Sequence, residues 1–464
     1  MYCSRSWSFD SYQPFGRVEK LYINQVIPNK SEIHLSWYGG GDKWTVWHRV
    51  KDSEETWQNF EVQVSRAVIP NLTEYVEYEF YIESNGIKSM VGYARTGEVP
   101  GTVVNYLHPS DPKYAFSGQH LCSPSLLIHP DGYLLASMDL YDGGAPQNLS
   151  LIFRSDDGGK SWYHYTELCP CFWGTLFLHK GEVYMLATST ERGDLLIGKS
   201  SDGGKTWGYP TVLAYGSCSR ISVGWHKSSM PVIEHKGRLW CGVDCGGYKL
   251  GGYMNCLASV RADADILDVN NWAITDPLQF NPKWEGAVQG DERGCIEGNA
   301  VVTPDGELCN FLRYSTDLGV PQYGLATVLK ADANDPSKAL EFFKFVPFPG
   351  NLSKFDIKKD EKSGLYFSIV SRITGKGWVK ARTVLSLICS KDLENWKVLC
   401  DLLNYENADP HKVGFQYVSF AFDGDDLLYL SRTAFNGAQS FHDNNYLTFD
   451  RVENFRNLIV KEDV

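Results

Sequence analysis

Ser155-Asp156-Asp157-Gly158-Gly159-Lys160-Ser161-Trp162 recurs 45 residues later as Ser200-Ser201-Asp202-Gly203-Gly204-Lys205-Thr206-Trp207. Both stretches follow the pattern Ser-x-Asp-x-Gly-x-(Ser/Thr)-Trp. In such a turn the carboxylate and the hydroxyl can bond backbone N–H groups, glycine supplies a positive φ, and the tryptophan packs between strands. A shortened copy, Ser390-Lys391-Asp392-Leu393-Glu394-Asn395-Trp396, lies further along the chain. The chain is therefore predicted to contain an internal repeat.

The sequence before the first copy reads as short strands. Two apolar runs, Leu121–Ile128 and Tyr133–Ser137, flank the turn Pro130-Asp131-Gly132, and Ile152-Phe153-Arg154 leads into the first copy. Matching strands surround the second copy. Two such copies at this spacing predict repeated four-stranded units, which are typical of the blades of a β-propeller.

The repeated turn is the Asp box, and through it the chain resembles the sialidase (BNR-repeat) superfamily of β-propellers. The resemblance covers about residues 100–456. It implies an all-β propeller fold and suggests glycan chemistry. It does not identify the substrate, because propellers host many functions.

We therefore expect an all-β chain with a six-bladed β-propeller preceded by a small β-sandwich; five or seven blades are the alternatives. A strand near Val103–Leu107 would complete the last blade and close the ring. Helical periodicity is nearly absent, apart from a short helix around Asp263–Asn271. The expected blades begin with the opening stretch and continue over Phe172–Trp207, His226–Trp272, Glu297–Phe345, a fifth ending at Trp396, and Phe415–Phe449.

Three segments divide the chain: a tail over residues 1–14, a fibronectin type III-like β-sandwich over 15–98, and the propeller over 99–464. Trp37 and the segment Leu72–Tyr78 resemble the strand tryptophan and the tyrosine corner of fibronectin type III domains. The sandwich is interpreted as a spacer packed on the propeller. A sugar-binding module is the alternative, but no exposed aromatic platform can be identified from the sequence.

Composition limits the classes of function. The 464 residues include 14% aromatic residues and 43 glycines, as expected for many short strands and tight turns. The net charge of −12 argues against nucleic acid and anionic membrane surfaces as partners. It does not exclude an acidic sugar, which would bind a local cluster of arginines. The expected partner is a carbohydrate substrate, and the oligomeric state stays open.

The sequence offers no sign of a metal, a cofactor or a membrane span. The 12 cysteines are scattered and are interpreted as mostly reduced, buried thiols, and no pair of Cys-x-x-Cys motifs indicates zinc. No run approaches the roughly 18 apolar residues of a membrane helix. The first residues lack a basic-then-apolar signal pattern, which predicts a cytoplasmic protein, or a secreted or periplasmic one if a signal has been removed.

The sialidase resemblance also implies a catalytic machinery. Sialidases hold the substrate carboxylate with three arginines and use a tyrosine nucleophile, a helper glutamate and an aspartate acid/base. Glu297 and Arg313 match the segment with the glutamate and the second arginine, Arg382 matches the third arginine, and Tyr417 falls where the nucleophile would lie. The alternatives are structural: a turn cap, a salt bridge and a core aromatic residue.

The resemblance fails at the first arginine. Where the family has Arg-Ile-Pro or Arg-Leu-Pro, this chain has Cys122-Ser123-Pro124, and cysteine cannot clamp a carboxylate. His120, on the same face of the strand, is the candidate replacement. Asp142 lies in the loop that holds the family's acid/base, with Asp139 as its rival. These departures argue against a true sialidase.

Other candidates come from the residues alone. His226 and Lys227 lie at a strand entrance, where His226 could be a general acid or base. Trp173 could stack on a sugar ring or pack between blades. Arg432 and His442 belong to polar segments of the last blade and are expected to contact substrate. A structural role is the alternative for each of them.

The leading hypothesis is an exo-acting glycoside hydrolase for a terminal acidic or deoxy sugar, with Glu297 working alongside Tyr417, Asp142 or His226. The first alternative is a polysaccharide lyase in which a histidine or tyrosine abstracts the proton next to a uronate carboxylate. The second is a non-catalytic carbohydrate-binding propeller, which the missing arginine favours.

Overall fold

The computed structural model describes residues 21–217, 223–247, 252–288, 294–315 and 324–459. The predicted 1–14 tail lies outside these residues. The expected helix around Asp263–Asn271 is reduced to a 3-10 turn at Val269–Asn271, and a second 3-10 turn lies at Phe455–Leu458. Neither turn, nor anything else helical in the described ranges, could cross a bilayer. The chain is all-β, as predicted.

Two sheets form a sandwich in the first part of the chain. Alternate residues of its strands are buried between the sheets, for example Ile33, Leu35 and Trp37. Tyr78 Oη accepts a hydrogen bond from Thr73 N at 2.9 Å, the geometry of a tyrosine corner. The first sheet consists of β1 (Leu21–Pro28), β2 (Ile33–Gly39) and β5 (Arg66–Ile69). The second consists of β3 (Trp44–Val50), β4 (Gln58–Val62), β6 (Glu77–Ser84), β7 (Ile87–Lys88) and β8 (Gly92–Arg95).

Six antiparallel sheets follow, and they are the blades of a propeller. Blade one contains β10 (His120–Ile128), β11 (Leu134–Tyr141), β12 (Ser150–Ser155) and β13 (Tyr163–Leu168). Blade two contains β14 (Phe172–His179), β15 (Glu182–Thr188), β16 (Leu195–Ser200) and β17 (Thr211–Ala214). Blade three contains β18 (Gly224–His226), β19 (Ile233–His235), β20 (Arg238–Gly247), β21 (Gly252–Arg261), β22 (Trp272–Ile274) and β23 (Leu278–Gln279).

The second half of the ring repeats this pattern. Blade four contains β24 (Cys295–Val302), β25 (Leu308–Tyr314), β26 (Leu325–Lys330) and β27 (Glu341–Pro347). Blade five contains β28 (Lys358–Lys359), β29 (Tyr366–Ser371), β30 (Val384–Ser390) and β31 (Lys397–Asn404). Blade six contains β32 (Gly414–Asp423), β33 (Asp426–Ala434) and β34 (Tyr446–Val452), and β9 (Thr102–Tyr106) is its outermost strand. The ring is thus closed by the strand that follows the sandwich.

The repeated turns connect the third and fourth strands of blades one, two and five. Asp157 accepts hydrogen bonds from Ser161 N at 2.9 Å and Ser161 Oγ at 2.6 Å, and Trp162 Nε1 donates to Gly159 O at 3.1 Å. Asp202 and Trp207 make the same contacts in the second copy. The tryptophan of each turn donates a hydrogen bond to a carbonyl of the same turn. The motif is therefore a local structure that can occur in several blades.

The described cysteines are all free thiols. Most of them are buried in strands, and burial raises the pKa of several, including Cys171 and Cys241. These thiols stay protonated near neutral pH and act as small apolar side chains.

Candidate active site

Four of the innermost blade strands contain a β-bulge at the same place. The register shifts between Cys122 and Ser125 in β10, and at the matching positions of β14, β24 and β32. A residue inside each bulge has a positive φ: 33° at Ser123, 52° at Trp173, 58° at Glu297 and 54° at Tyr417. Left-handed backbone is costly for a side chain larger than glycine, and its presence at four matching places indicates a site.

Four blades also place a charged side chain on the strand that pairs with the innermost one. Asp139 faces Cys122, Asp244 faces His226, Arg313 faces Ile296 and Arg432 faces Gln416. Several of these side chains reach the next blade. Asp139 Oδ2 accepts from Trp173 N at 2.8 Å, and Asp244 Oδ2 accepts from Glu297 N at 2.9 Å. Residues far apart in sequence therefore converge between blades.

Arg313 joins Glu297 to Tyr417. Its Nη1 donates to Glu297 Oε2 at 3.0 Å and to Tyr417 Oη at 3.4 Å. The rest of the guanidinium is held by main chain, because Nε donates to Asn351 O at 3.2 Å and Nη2 to Leu352 O at 3.0 Å. Arg313 is therefore fixed from behind and presents one nitrogen to both the carboxylate and the phenol.

Tyr417 is a neutral phenol in this setting. Burial, and then the negative charge of Glu297, raise its pKa well above the usual value, while the nearby arginines act in the opposite direction. A phenol with a raised pKa needs a base before it can act as a nucleophile. Glu297, whose side chain is 3% exposed, is the adjacent carboxylate.

Two further arginines lie beside this group. Arg382 Nη1 donates to Gln416 Oε1, while the buried Arg382 Nε has no hydrogen-bond partner among the described residues. Burial and the charge of Arg313 lower the pKa of Arg382, but a guanidinium stays charged near neutral pH. Arg432 lies 4.9 Å from the centre of the Tyr417 ring. Positive charge therefore accumulates around the phenol.

The cationic side chain beside Cys122 is Arg432 from blade six, whereas the sequence predicts His120 as the replacement for the missing arginine. Arg432 Nη1 lies 3.3 Å from Cys122 Sγ, its Nε donates to Asn444 Oδ1 at 2.6 Å and its Nη2 donates to His442 O at 2.6 Å. His120 is 7% exposed and burial lowers its pKa, so it is a neutral imidazole near neutral pH.

His442 and Asp142 lie at the border of blades one and six. His442 Nδ1 lies 3.1 Å from Asp443 Oδ1, and burial and the charge of Arg432 lower the pKa of His442 to about 4. Asp142 follows β11, where the preceding Tyr141 pairs with His120. Its carboxylate accepts from Gly144 N at 3.1 Å and is partly exposed. A partly exposed carboxylate can exchange protons with a leaving group or with water.

His226 is connected to Glu297 through a residue that the sequence analysis missed. Asp244 Oδ2 lies 3.1 Å from His226 Nδ1, in addition to its bond with Glu297 N. The imidazole lies against the rings of Trp173 and Tyr253, with centroid distances of 4.2 and 4.4 Å. In the sequence, the signal for Asp244 is that it is a single carboxylate in the otherwise apolar strand around Val243.

The side chain of Lys227 is buried rather than open to solvent. Its ammonium is fully buried and donates to Trp173 O, Thr175 Oγ1 and Ser228 O at 2.8–2.9 Å. Asp139, the rival of Asp142, is likewise enclosed: burial raises its pKa to about 7, and it accepts bonds from Ser150 and Trp173. Both residues therefore hold the Trp173 bulge in place, which is a structural role.

Comparison with solved structures agrees with the fold. An α-L-arabinanase from Penicillium chrysogenum, solved with arabinobiose, has a TM-score of 0.51 and 15% identity over 77% of this chain and 98% of its own. An α-L-arabinofuranosidase from Fusarium graminearum, solved with an iminosugar inhibitor, has a TM-score of 0.50 and 14% identity over 77% and 98%. A Hadza microbial sialidase has a TM-score of 0.51 and 11% identity over 93% and 94%.

No protein-family model matches the sequence, and no curated protein matches it. The structural comparison therefore identifies the fold. This chain has a divergent sialidase-like β-propeller fold.

Proposed function

We propose that this protein is an exo-acting glycoside hydrolase that removes a terminal acidic sugar. The observation that carries the proposal is that Arg313 Nη1 is bonded to both Glu297 and Tyr417. A tyrosine placed beside a carboxylate, and oriented by a guanidinium, is a nucleophile with its base. Such a pair is useful when the substrate is anionic, because a neutral nucleophile avoids charge repulsion.

In the proposed reaction, Glu297 accepts the phenolic proton while Tyr417 Oη attacks the anomeric carbon. The bond to the leaving oxygen breaks, and Asp142 donates a proton to that oxygen. Asp142, now ionised, then takes a proton from a water molecule whose oxygen attacks the anomeric carbon. The bond to Tyr417 Oη breaks, and Glu297 returns its proton to the phenolate. Two successive displacements retain the anomeric configuration. We expect Trp173 and His226 to border the sugar, since the His226 imidazole packs on Trp173 and shares Asp244 with Glu297 N.

The charge around Tyr417 supports an acidic sugar. In the described part of the chain, neither Arg382 nor Arg432 forms an ion pair with a carboxylate. Buried cations without counter-ions are costly, and a carboxylate on the substrate would offset that cost. His120 and His442 are neutral near pH 7 and would contribute hydrogen bonds rather than charge.

The test uses Glu297→Gln and Tyr417→Phe with p-nitrophenyl glycosides of N-acetylneuraminic acid and L-arabinofuranose. We expect each variant to lower kcat by at least about 100-fold, since each removes one partner of the nucleophile pair. Mass spectrometry of quenched parent enzyme should detect a sugar attached to Tyr417. Full activity in both variants would overturn the proposal.

A lyase is the second candidate, because Tyr417 beside several arginines could also remove the proton next to a uronate carboxylate. Incubation with polygalacturonate distinguishes the two reactions. A lyase product is unsaturated and absorbs ultraviolet light, whereas hydrolysis adds reducing ends without that absorbance. Binding of sugars with no turnover of any of them would favour a non-catalytic propeller.

A further inference from the structure

A cavity of about 570 Å³ lies on the propeller axis, lined by the inner segments of all six blades. The bulges that shape the candidate active site come early in the innermost strands, whereas the cavity is lined by residues that follow them. Residues 125–128 of blade one and 175–178 of blade two are examples. The cavity and the candidate active site therefore lie at opposite ends of the axis.

Most of the residues that line this axial cavity are apolar. Four of them are only partly buried: Ile128, Leu178, Val232 and Phe422. The volume is within the range of sites that hold small organic molecules, and it is much larger than a single ion needs. The cavity therefore has room and apolar surface for the body of an organic ligand.

The wall that blade five contributes contains one cation without a counter-ion. Lys354 and Asp356 are buried and neutralise each other, since Lys354 Nζ lies 2.5 Å from Asp356 Oδ1 and donates to Val418 O at 2.8 Å. The half-buried Lys358 donates to Phe420 O, and in the part of the chain that the structure describes no carboxylate forms an ion pair with it. An ammonium in such a setting favours an anion beside it.

Two serines add hydrogen-bond donors to the same wall. Ser125 Oγ accepts from Leu176 N at 3.0 Å, and Ser419 Oγ accepts from Leu126 N at 3.1 Å. Neither hydroxyl donates its own proton to another group of the described ranges. Ser419 also stands between the two residues whose carbonyls bond the lysines of blade five. The cavity therefore offers donors to a ligand that brings acceptors.

Burial lowers the pKa of Lys358, because the surrounding protein removes water from the ammonium, while the charge of Asp356 acts in the opposite direction. An anion bound next to Lys358 would favour the charged form and offset this loss of hydration. The unoccupied wall is thus less favourable for the ammonium than the same wall with a carboxylate on it.

We propose that the axial cavity binds a small organic monocarboxylate, with its carboxylate on Lys358 and its apolar part along the aliphatic wall. One unpaired cation matches one negative charge, and the serine hydroxyls supply further donors. A dianion such as phosphate would be repelled by Asp356, which also lines the cavity. This site is independent of the proposed glycosidase reaction, since it shares no residue with the candidate active site.

The experiment measures the binding of hexanoate, acetate and hexanol to the full chain by calorimetry, and the shift in thermal unfolding that each causes. Hexanoate should bind most tightly, because acetate lacks the apolar part and hexanol lacks the charge. We expect Lys358→Met to weaken hexanoate binding about 10- to 100-fold and to leave hexanol unchanged, as for the loss of a hydrogen bond to a charged group. Lys358→Gln, which keeps an N–H donor, is the second variant in case Lys358→Met does not fold.

Lys359→Met is the matched control, since Lys359 is exposed and lines the same cavity. It should bind hexanoate as the parent does, and an equal loss in this variant would show only a general effect of charge and overturn the proposal. Arg432→Met detects a carboxylate that binds in the candidate active site instead. Loss of hexanoate binding in Arg432→Met but not in the Lys358 variants would refute the axial site, as would a parent that binds hexanoate no more tightly than hexanol.

Discussion

Asp244 shows how a single buried carboxylate can organise the candidate site. Its Oδ2 accepts from Glu297 N and His226 Nδ1, and its Oδ1 accepts from Asn255 Nδ2 at 2.8 Å. The residue is fully buried, so these donors replace its hydration. Asp244 thus stabilises the left-handed backbone at Glu297 and orients the imidazole of His226.

Asp244→Asn should therefore impair turnover more than binding. The amide replaces one acceptor by a donor that faces the Glu297 N–H, which loosens the bulge without removing a group that touches substrate. We expect kcat to fall about 10- to 100-fold with little change in KM, as for the loss of a hydrogen bond to a charged group. Asp401→Asn, at the outer strands of blade five, is the control. A rise in KM with constant kcat would contradict a positioning role.

For single residues, the sequence identifies candidate side chains, whereas the structure shows which groups they contact. The motifs predict four site residues, and the structure brings them together: Glu297, Arg313, Arg382 and Tyr417. The charge of Lys227 at a strand entrance predicts a substrate contact, but its ammonium is surrounded by main-chain and hydroxyl oxygens. A side chain's charge is readable in the sequence, whereas the acceptors that satisfy it come from other blades.

At the scale of elements, the repeated turns and the bulges have separate roles. The turns close the outer strands of a blade, and the bulges shape the inner strand at the site. The turn pattern is local, so it can be recognised in sequence. The bulges depend on pairing with the neighbouring strand, and no residue type marks them: the positive φ falls on serine, tryptophan, glutamate and tyrosine.

Removing the turn carboxylates should lower stability and spare the site. We expect Asp157→Ala and Asp202→Ala each to reduce the free energy of unfolding by about 1–2 kcal/mol, because each carboxylate bonds both a backbone N–H and a hydroxyl of its turn. Urea denaturation measures this, with kcat as the second readout. Asp305→Ala, in the exposed turn Pro304-Asp305-Gly306, is the control. Equal stability of all three variants would contradict the role assigned to the turns.

At the scale of the whole molecule, the sandwich and the propeller share a buried polar interface. Tyr22 on β1 donates to Glu167 Oε1 on β13 at 3.2 Å, and the Asn24 amide lies 3.4 Å from His164 Nδ1. Burial raises the pKa of Glu167 to about 7 and lowers the pKa of His164 to about 4. The interface therefore prefers both groups uncharged, which favours docking at mildly acidic pH.

Glu167→Gln should make the unfolding free energy less sensitive to rising pH. Because burial raises the folded-state pKa of Glu167, the stability it contributes is present below about pH 4.5 and is lost as pH rises through about 7. His164 has the opposite sign, since its lowered pKa costs stability as pH falls from 6.5 through about 4. The variant removes the titration of the glutamate and keeps that of His164, whose Nε2 lies 3.8 Å from Glu167 Oε2.

We expect the variant to gain on the order of 2–3 kcal/mol relative to the parent between pH 4.5 and 7. Urea denaturation across this range, followed by tryptophan fluorescence, provides the measurement. A difference between variant and parent that stays constant with pH would show that Glu167 does not change protonation in the interface.

The sequence alone determined the all-β propeller, the repeat and the closure of the ring by a strand after the sandwich, because the turn motif and the alternation of buried residues are local properties. The tertiary structure decided which cations and carboxylates meet. In the sequence, Cys122 stands where the sialidase family has its first arginine. In the structure, Arg432 of the last blade lies beside it. Radial repetition makes first and last blades neighbours, so a contact between residues hundreds of positions apart leaves no pattern along the chain.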